Sequence, residues 1–350
     1  MQRNSHIDAI DGLRAIAVLA VVLCHTPLVG APQAWYDCGS RGVDLFFAIS
    51  GFCLAYPFLR SLHATGSLDM DRGRFFRRRV IRIVPPYFAA LLLFALLSST
   101  GFGLPTAPGV HLEGPAMARE IVLAGSFLTN LPSPFNASFW TLGIEMRWYL
   151  VFPLLLALYA RSRLGFFAAG AACYWLYFFT PWTFSDIGTL PCFMLGIVAA
   201  DLRIRNSPVQ RYAPLAAVTT LALAIWAQAH AARVDHGDPV WHAAAFCLVV
   251  AASASTVARA LNARPLALAG IASYSIYLVH EPVLNSLWAL HLNAFVCAAG
   301  AVACGFVFYR VVERPCLDKR FRQPAEALLA RVFTLHAVRA AFTRTATHEG

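Results

Sequence analysis

The chain has 350 residues, of which 59% are hydrophobic and only 13% charged, about half the charged share of an ordinary soluble domain. That composition excludes a water-soluble fold for most of the chain and makes lipid its solvent. A formal charge of +10 would suggest nucleic acid in a soluble protein, but here the cations are read first against a membrane, and no nucleic-acid partner is expected.

Apolar runs fall at 10–28, 42–60, 81–99, 139–160, 164–181, 187–202, 212–229, 240–260, 266–288 and 293–312. They are continuously apolar and rich in Ala and Leu rather than alternating, so they predict helices and not barrel strands. The expected fold class is an all-α polytopic bundle of about ten spanning helices. A further stretch, 119–131, is short and opens on Arg119 and Glu120, and reads as an interfacial or re-entrant piece.

With the N-terminus inside, the inner side receives Arg60 to Arg82, Arg161, Arg163, Arg203, Arg205, Arg211, Arg259, Arg264 and the basic tail. The outer loops keep Arg41, Arg119 and Arg233. This asymmetry places both termini in the cytoplasm. The first run carries Arg14 and His25 and lacks a small-residue cleavage site, so it is expected to stay as a helix rather than to leave as a signal peptide. Residues 1–318 then form one membrane domain, and 319–350 a basic amphipathic tail on the inner leaflet. Of the nine cysteines only Cys38 lies in an expected outer loop, and none has zinc spacing; neither a disulfide nor a metal site is expected.

Ionisable side chains inside a span are costly unless they face a partner or a watery cavity, so they mark candidate sites. Arg14 and His25 share the first run, and eleven helical steps return to nearly the same face while rising ~16 Å. Both also lie near the ends of that run, where snorkelling to the headgroups would serve as well. Glu145 in the fourth run and His280 in the ninth fall at similar depth to His25. The carboxylate needs a partner, for which His25, His280 and Arg147 are candidates. A cluster of Arg72, Arg74, Arg77, Arg78, Arg79 and Arg82 precedes the third run. It orients the chain, and Arg79 and Arg82, one turn apart, are also placed to grip one polyphosphate.

Five strings in order carry a resemblance. They are Arg14 followed after ten residues by His25; Gly42-Val43-Asp44-Leu45-Phe46-Phe47 running on to Ser50-Gly51-Phe52; Arg79 with Arg82; and Ser138-Phe139-Trp140-Thr141-Leu142 with Glu145 and Trp148-Tyr149. The last is Ser273-Tyr274-Ser275-Ile276-Tyr277-Leu278-Val279-His280, closing on Glu313-Arg314-Pro315. From about residue 8 to 317 the chain resembles the membrane-bound acyltransferase-3 family of bacterial O-acyltransferases. Glu281 and Arg314 depart from the family pattern.

The resemblance implies a multi-pass protein of the bacterial inner membrane that takes acyl-coenzyme A, as a co-substrate rather than a resident cofactor, on the inner side. The acyl group, acetyl by default, passes to a carbohydrate or secondary-metabolite hydroxyl on the outer side. Under that reading His25 is the general base and Glu145 orients it. Arg14, Arg79 and Arg82 bind the coenzyme, and Ser273, Tyr277 and His280 face the acceptor or the developing oxyanion. The alternative class is a secondary transporter or flippase, which also places polar residues at mid-depth.

Overall fold

A computed structural model describes residues 7–28, 32–99, 114–128, 130, 133–179, 185–230, 236–254 and 258–331. The expected outer loop around Gly109 and the tail beyond residue 331 lie outside them. Helices follow one another as α1 (Asp8–His25), α2 (Gln33–Ser40), α3 (Gly42–Thr65), α4 (Arg72–Ser99), α5 (Gly114–Gly125), α6 (Trp140–Arg161) and α7 (Arg163–Phe179). They continue as α8 (Ser185–Ile204), α9 (Ala213–His230), α10 (Pro239–Ala254), α11 (Ala258–Leu261), α12 (Arg264–Ile271), α13 (Ser273–Ala289), α14 (Ala294–Phe308) and α15 (Arg314–Leu317). No strand occurs among the described residues beyond one isolated bridge, Ser133 with Asn136.

This is an all-α membrane bundle. Among the described residues, six helical segments are long and apolar enough to cross a bilayer: Gln33–Thr65, Arg72–Ser99, Ala137–Arg161, Asp186–Ile204, Pro208–His230 and Ala294–Leu317. The other expected spans are helical too, with physical reasons for standing apart. α1 carries Asp8, Asp11 and Arg14; α7 and α10 have 17 and 16 residues; and the expected run 266–288 is broken at Ala272 between α12 and α13. Of the stretch at 119–131, residues 119–125 lie in α5, whose 12 residues reach only ~18 Å, too short to span.

Large apolar side chains lie outward on α4 (Leu92, Leu96), α7 (Leu164, Trp175, Phe179) and α9 (Leu215, Val218, Trp226), a surface suited to lipid and not to water. Inward, Phe47, Trp148, Phe152 and Phe193 pack in one continuous core. Among the described residues, the most extensive helix–helix contact is between α3 and α8. A Cβ at Gly51 would lie 2.0 Å from the Phe193 carbonyl oxygen, and one at Gly196 2.1 Å from that of Ala48. Small residues let the two backbones touch, which is how helices bind where lipid removes the hydrophobic drive.

The arginine-rich helix ends gather at one end of the bundle. There Asp201 of α8 receives His63 at 2.7 Å, Arg163 at 3.4 Å and Arg205 at 3.0 Å, with the Tyr159 hydroxyl donating at 3.0 Å. Residues 319–331 are helical, and Glu326 lies 3.7 Å from Arg78 at the start of α4.

Candidate active site

Five helices enclose a cavity of about 800 Å³ of empty space, open in part to solvent. α4 brings Arg79 and Arg82, three residues apart and so on one face. α1 brings Arg14, whose guanidinium donates to Asp11 at 3.2 Å and lies 3.5 Å from Cys53 Sγ. α6 lines the wall with Thr141, Glu145 and Tyr149, each one turn from the next, and α13 with Ser273 and Tyr277. The half-buried Glu145 carboxylate accepts from Ser50 Oγ at 2.9 Å and from the Tyr149 hydroxyl. Arg79 lies against aromatic rings, 5.7 Å from the centre of Tyr149 and 5.8 Å from that of Phe75. Its Nε is buried and has no hydrogen-bond partner among the described residues. An unmet cationic donor on a cavity wall suits an anionic ligand.

Tyr277 closes the far end. Its hydroxyl and that of Thr141 lie 2.6 Å apart and both reach the Ser138 carbonyl, at 2.9 and 3.2 Å, so one hydroxyl donates to the other and that one to the carbonyl. In either arrangement the Tyr277 O–H is engaged, and Ser273 lines the same cavity. Beyond Tyr277, with ring centres 5.5 Å apart, stands His280, fully buried.

His280 Nδ1 is 2.8 Å from the Tyr277 carbonyl, and His25 Nδ1 is 2.9 Å from the Val21 carbonyl. Carbonyls only accept, so in the neutral rings both Nδ1 atoms carry the proton. His280 Nε2 then presents its lone pair to the His25 Nδ1–H, 3.4 Å away. The two rings meet edge to face at 5.0 Å. This sets His25 in the tautomer whose Nε2 is a free base. His25 ends α1, half-buried, and one unbroken helix joins it to Arg14.

The structure therefore brings Arg14, Arg79, Arg82, Glu145, Ser273 and Tyr277 to one cavity and sets His25 and His280 as a pair behind its Tyr277 end. It does not pair Glu145 with either histidine. Nor does Arg147 serve Glu145. Two helical steps turn it about 200° away, and it binds Asp186 at 2.7 and 3.0 Å, Asn130, and the Phe127 carbonyl at 2.5 Å. No site role is expected from the sequence for Cys53, nor for Ser50 and Tyr149 within the strings that carry the resemblance, although Tyr149 sits at the i+4 position from Glu145 where a partner belongs. The closing-motif Glu313 is buried and accepts from Ser275 Oγ at 2.5 Å from within a π-turn, Tyr309–Glu313. The unusual Glu281 accepts from the Ser138 amide at 2.9 Å and hydroxyl at 2.8 Å, capping the entry to α6.

A family model described as an acyltransferase domain matches residues 7–310. The chain is 28% identical over 168 residues to the peptidoglycan O-acetyltransferase OatA of Listeria monocytogenes, a match covering 45% of this chain and 25% of that protein. It is 27% identical over 169 residues to the O-acetyltransferase OatA of Staphylococcus aureus, covering 45% of this chain and 26% of that one. The matches thus span about a quarter of the length of these relatives. No solved structure matches the chain.

Proposed function

The chain belongs to the acyltransferase-3 family, and from that premise we propose that it is a membrane O-acyltransferase moving an acyl group, acetyl first of all, from acyl-coenzyme A to a hydroxyl of an envelope saccharide. The observation that carries the reading is the polarity of the cavity. Arg79, with a buried guanidinium nitrogen unsatisfied, and Arg82 stand at one end, and a histidine of fixed tautomer stands behind the other. Guanidinium groups grip the coenzyme's phosphates. The extended pantetheine arm lies along the cavity, and the ~16 Å rise from Arg14 to His25 is of the order it must cover.

At the histidine end, His25 Nε2 takes the proton of the acceptor hydroxyl as the oxygen attacks the thioester carbonyl. The C–S bond breaks, coenzyme A leaves as thiolate, and the proton held on His25 returns to it. Ester and free coenzyme are the only products. His280 touches no reacting atom; it positions the ring by accepting the Nδ1–H.

The orientation that suits this chemistry puts the arginine end in the cytoplasm, with about ten spans and both termini inside, in a bacterial inner membrane. A saccharide acceptor on the outer side is in keeping with the names of the relatives, one of which is a peptidoglycan O-acetyltransferase. The test is acetyl-coenzyme A turnover by the purified protein in detergent, read as thiol release and as acetyl ester on an added N-acetylglucosamine oligomer. Turnover no higher than that of His25→Ala, together with uptake of unmodified solute into proteoliposomes, would replace the enzyme by a carrier.

A further inference from the structure

A second cavity, open in part to solvent and with about 820 Å³ of empty space, lies at the end of the bundle opposite the arginine cluster. Its walls include Tyr87, Arg119, Glu120, Phe127, Phe139 and Trp140. The first turn of α6 separates it from the first cavity, since Trp140 and Gly143 face the second while Thr141, Leu142 and Glu145 face the first. Trp140 begins α6 and His25 ends α1, so both stand at the same end of the bundle.

We propose that this cavity is a saccharide subsite that holds the acceptor, an inference that rests on the acyltransferase reading above. A pyranose has C–H faces that lie on aromatic rings and an equator of hydroxyls that needs both donors and acceptors. The cavity offers that combination: four aromatic side chains and, at its edge, a guanidinium beside a carboxylate. Arg119 donates to Glu120 at 2.9 Å, and while Arg119 is 73% exposed, Glu120 is 19% exposed. One paired cation and anion suit neutral, hydroxyl-rich ligands. A polyphosphate would meet the Glu120 carboxylate, and an alkyl chain would leave the ion pair without a use.

The aromatic walls are held in place from behind. The Trp140 ring lies 5.3 Å from that of His236, and His236 Nδ1 is 3.0 Å from the buried Asp44 carboxylate. Phe127 has φ +57°, a conformation rare for a bulky residue. Its carbonyl is gripped by Arg147, itself tied to Asp186, and its ring lies 4.6 Å from Tyr87. Two ion-pair networks that the transfer step does not use thus fix two walls of one cavity. Preorganisation of that kind lowers the ordering cost of binding, and strain held by surrounding bonds is characteristic of ligand sites.

The test is equilibrium binding without acyl donor, by calorimetry on the detergent-purified full chain. The probes are chitotetraose, an N-acetylglucosamine tetramer, and maltotetraose, at concentrations up to about 10 mM. At least one is expected to bind, with Trp140→Ala and Glu120→Gln each weakening it about tenfold or more, and Trp140→Phe recovering most of the loss. Glu120 lies on the half-exposed face of α5, so its substitution tests the site even where Trp140→Ala fails to fold. Absence of binding by both sugars to the parent, or binding indifferent to both substitutions, overturns the subsite. The readouts separate the two claims. Trp140-dependent binding without acetyl transfer leaves the subsite and removes the enzyme reading; transfer with binding indifferent to Trp140 and Glu120 does the reverse.

Discussion

Replacing Arg79 and Arg82 together by lysine keeps both charges and removes both guanidinium forks, which separates phosphate recognition from mere orientation of the chain. The structure gives the scale. Arg79 leaves a buried Nε unsatisfied and rests on Tyr149 and Phe75, and Arg82 lines the same cavity one turn on. A lysine point charge forfeits about one charge-assisted hydrogen bond per site, about 1.5–3 kcal/mol each. At 1.4 kcal/mol per factor of ten, Arg79→Lys alone should weaken acetyl-coenzyme A by about tenfold or more. The pair should weaken it by about a hundredfold where the two act independently. What lysine retains is Coulombic and screened, so the gap between parent and variant should widen between about 50 and 300 mM salt. Calorimetric titration of acetyl-coenzyme A into both proteins in detergent reads this directly. Equal affinity at both salt concentrations would make the two arginines topology determinants and move the coenzyme site elsewhere.

His25→Ala should insert and fold yet lose about a hundredfold or more in acetyl transfer, read as ester formation at saturating donor; activity near the parent's would remove His25 from the chemistry. His280→Phe should lower kcat with the KM for acetyl-coenzyme A unchanged, and His280→Gln, whose amide oxygen can still accept from His25, should recover much of it. A loss equal in both would reduce His280 to packing. Alanine at Gly51 or Gly196 drives a Cβ to within 2.0 or 2.1 Å of a backbone oxygen on the neighbouring helix, so either variant should lower the melting temperature in detergent, by the mechanism of overpacking. A single-cysteine reporter at Thr65 should react only from the cytoplasmic side and one at Gly237 only from outside, in spheroplasts treated with a membrane-impermeant thiol reagent; reversal at Thr65 would invert the topology.

The spanning runs were legible because a bilayer admits few ways to satisfy a backbone, and the runs fall on helices within a few residues. The break at Ala272 was not, since nothing in the local sequence stops the helix there. Gly270 packs against the Asp11 backbone of α1, where a Cβ would lie 1.8 Å from its carbonyl oxygen, and such a contact is tertiary. Depth along a helix is readable by counting, which is why His25 and His280 were placed level and do meet. Rotation is readable too, and it rules out Arg147 as the partner of Glu145, because residues two apart face different ways. Between α5 and α6 the second cavity is built by Phe127, Ser133 and Phe139, where a left-handed Phe127 and a cap from Glu281 decide the shape. Neither has a sequence signal of its own.

Among the described residues, the partners of His25 are the Val21 carbonyl and His280, and the proposed chemistry would need no carboxylate there. In the proposed transfer from a thioester, the proton on His25 would be held only until the C–S bond breaks. The departing thiolate belongs to a thiol of pKa about 8.5 and leaves without prior protonation, then takes the proton back. The imidazolium is short-lived and faces the anion it has just generated, so a neutral acceptor that fixes the tautomer suffices. A second ion at that depth would cost several kcal/mol to desolvate. Glu145 has the opposite setting. It lines the cavity that holds Arg14, Arg79 and Arg82, where an anion offsets converging guanidinium charge while the cavity is empty. Held by Ser50 and Tyr149, it is turned to the arginines' end of the cavity and is not paired with His25.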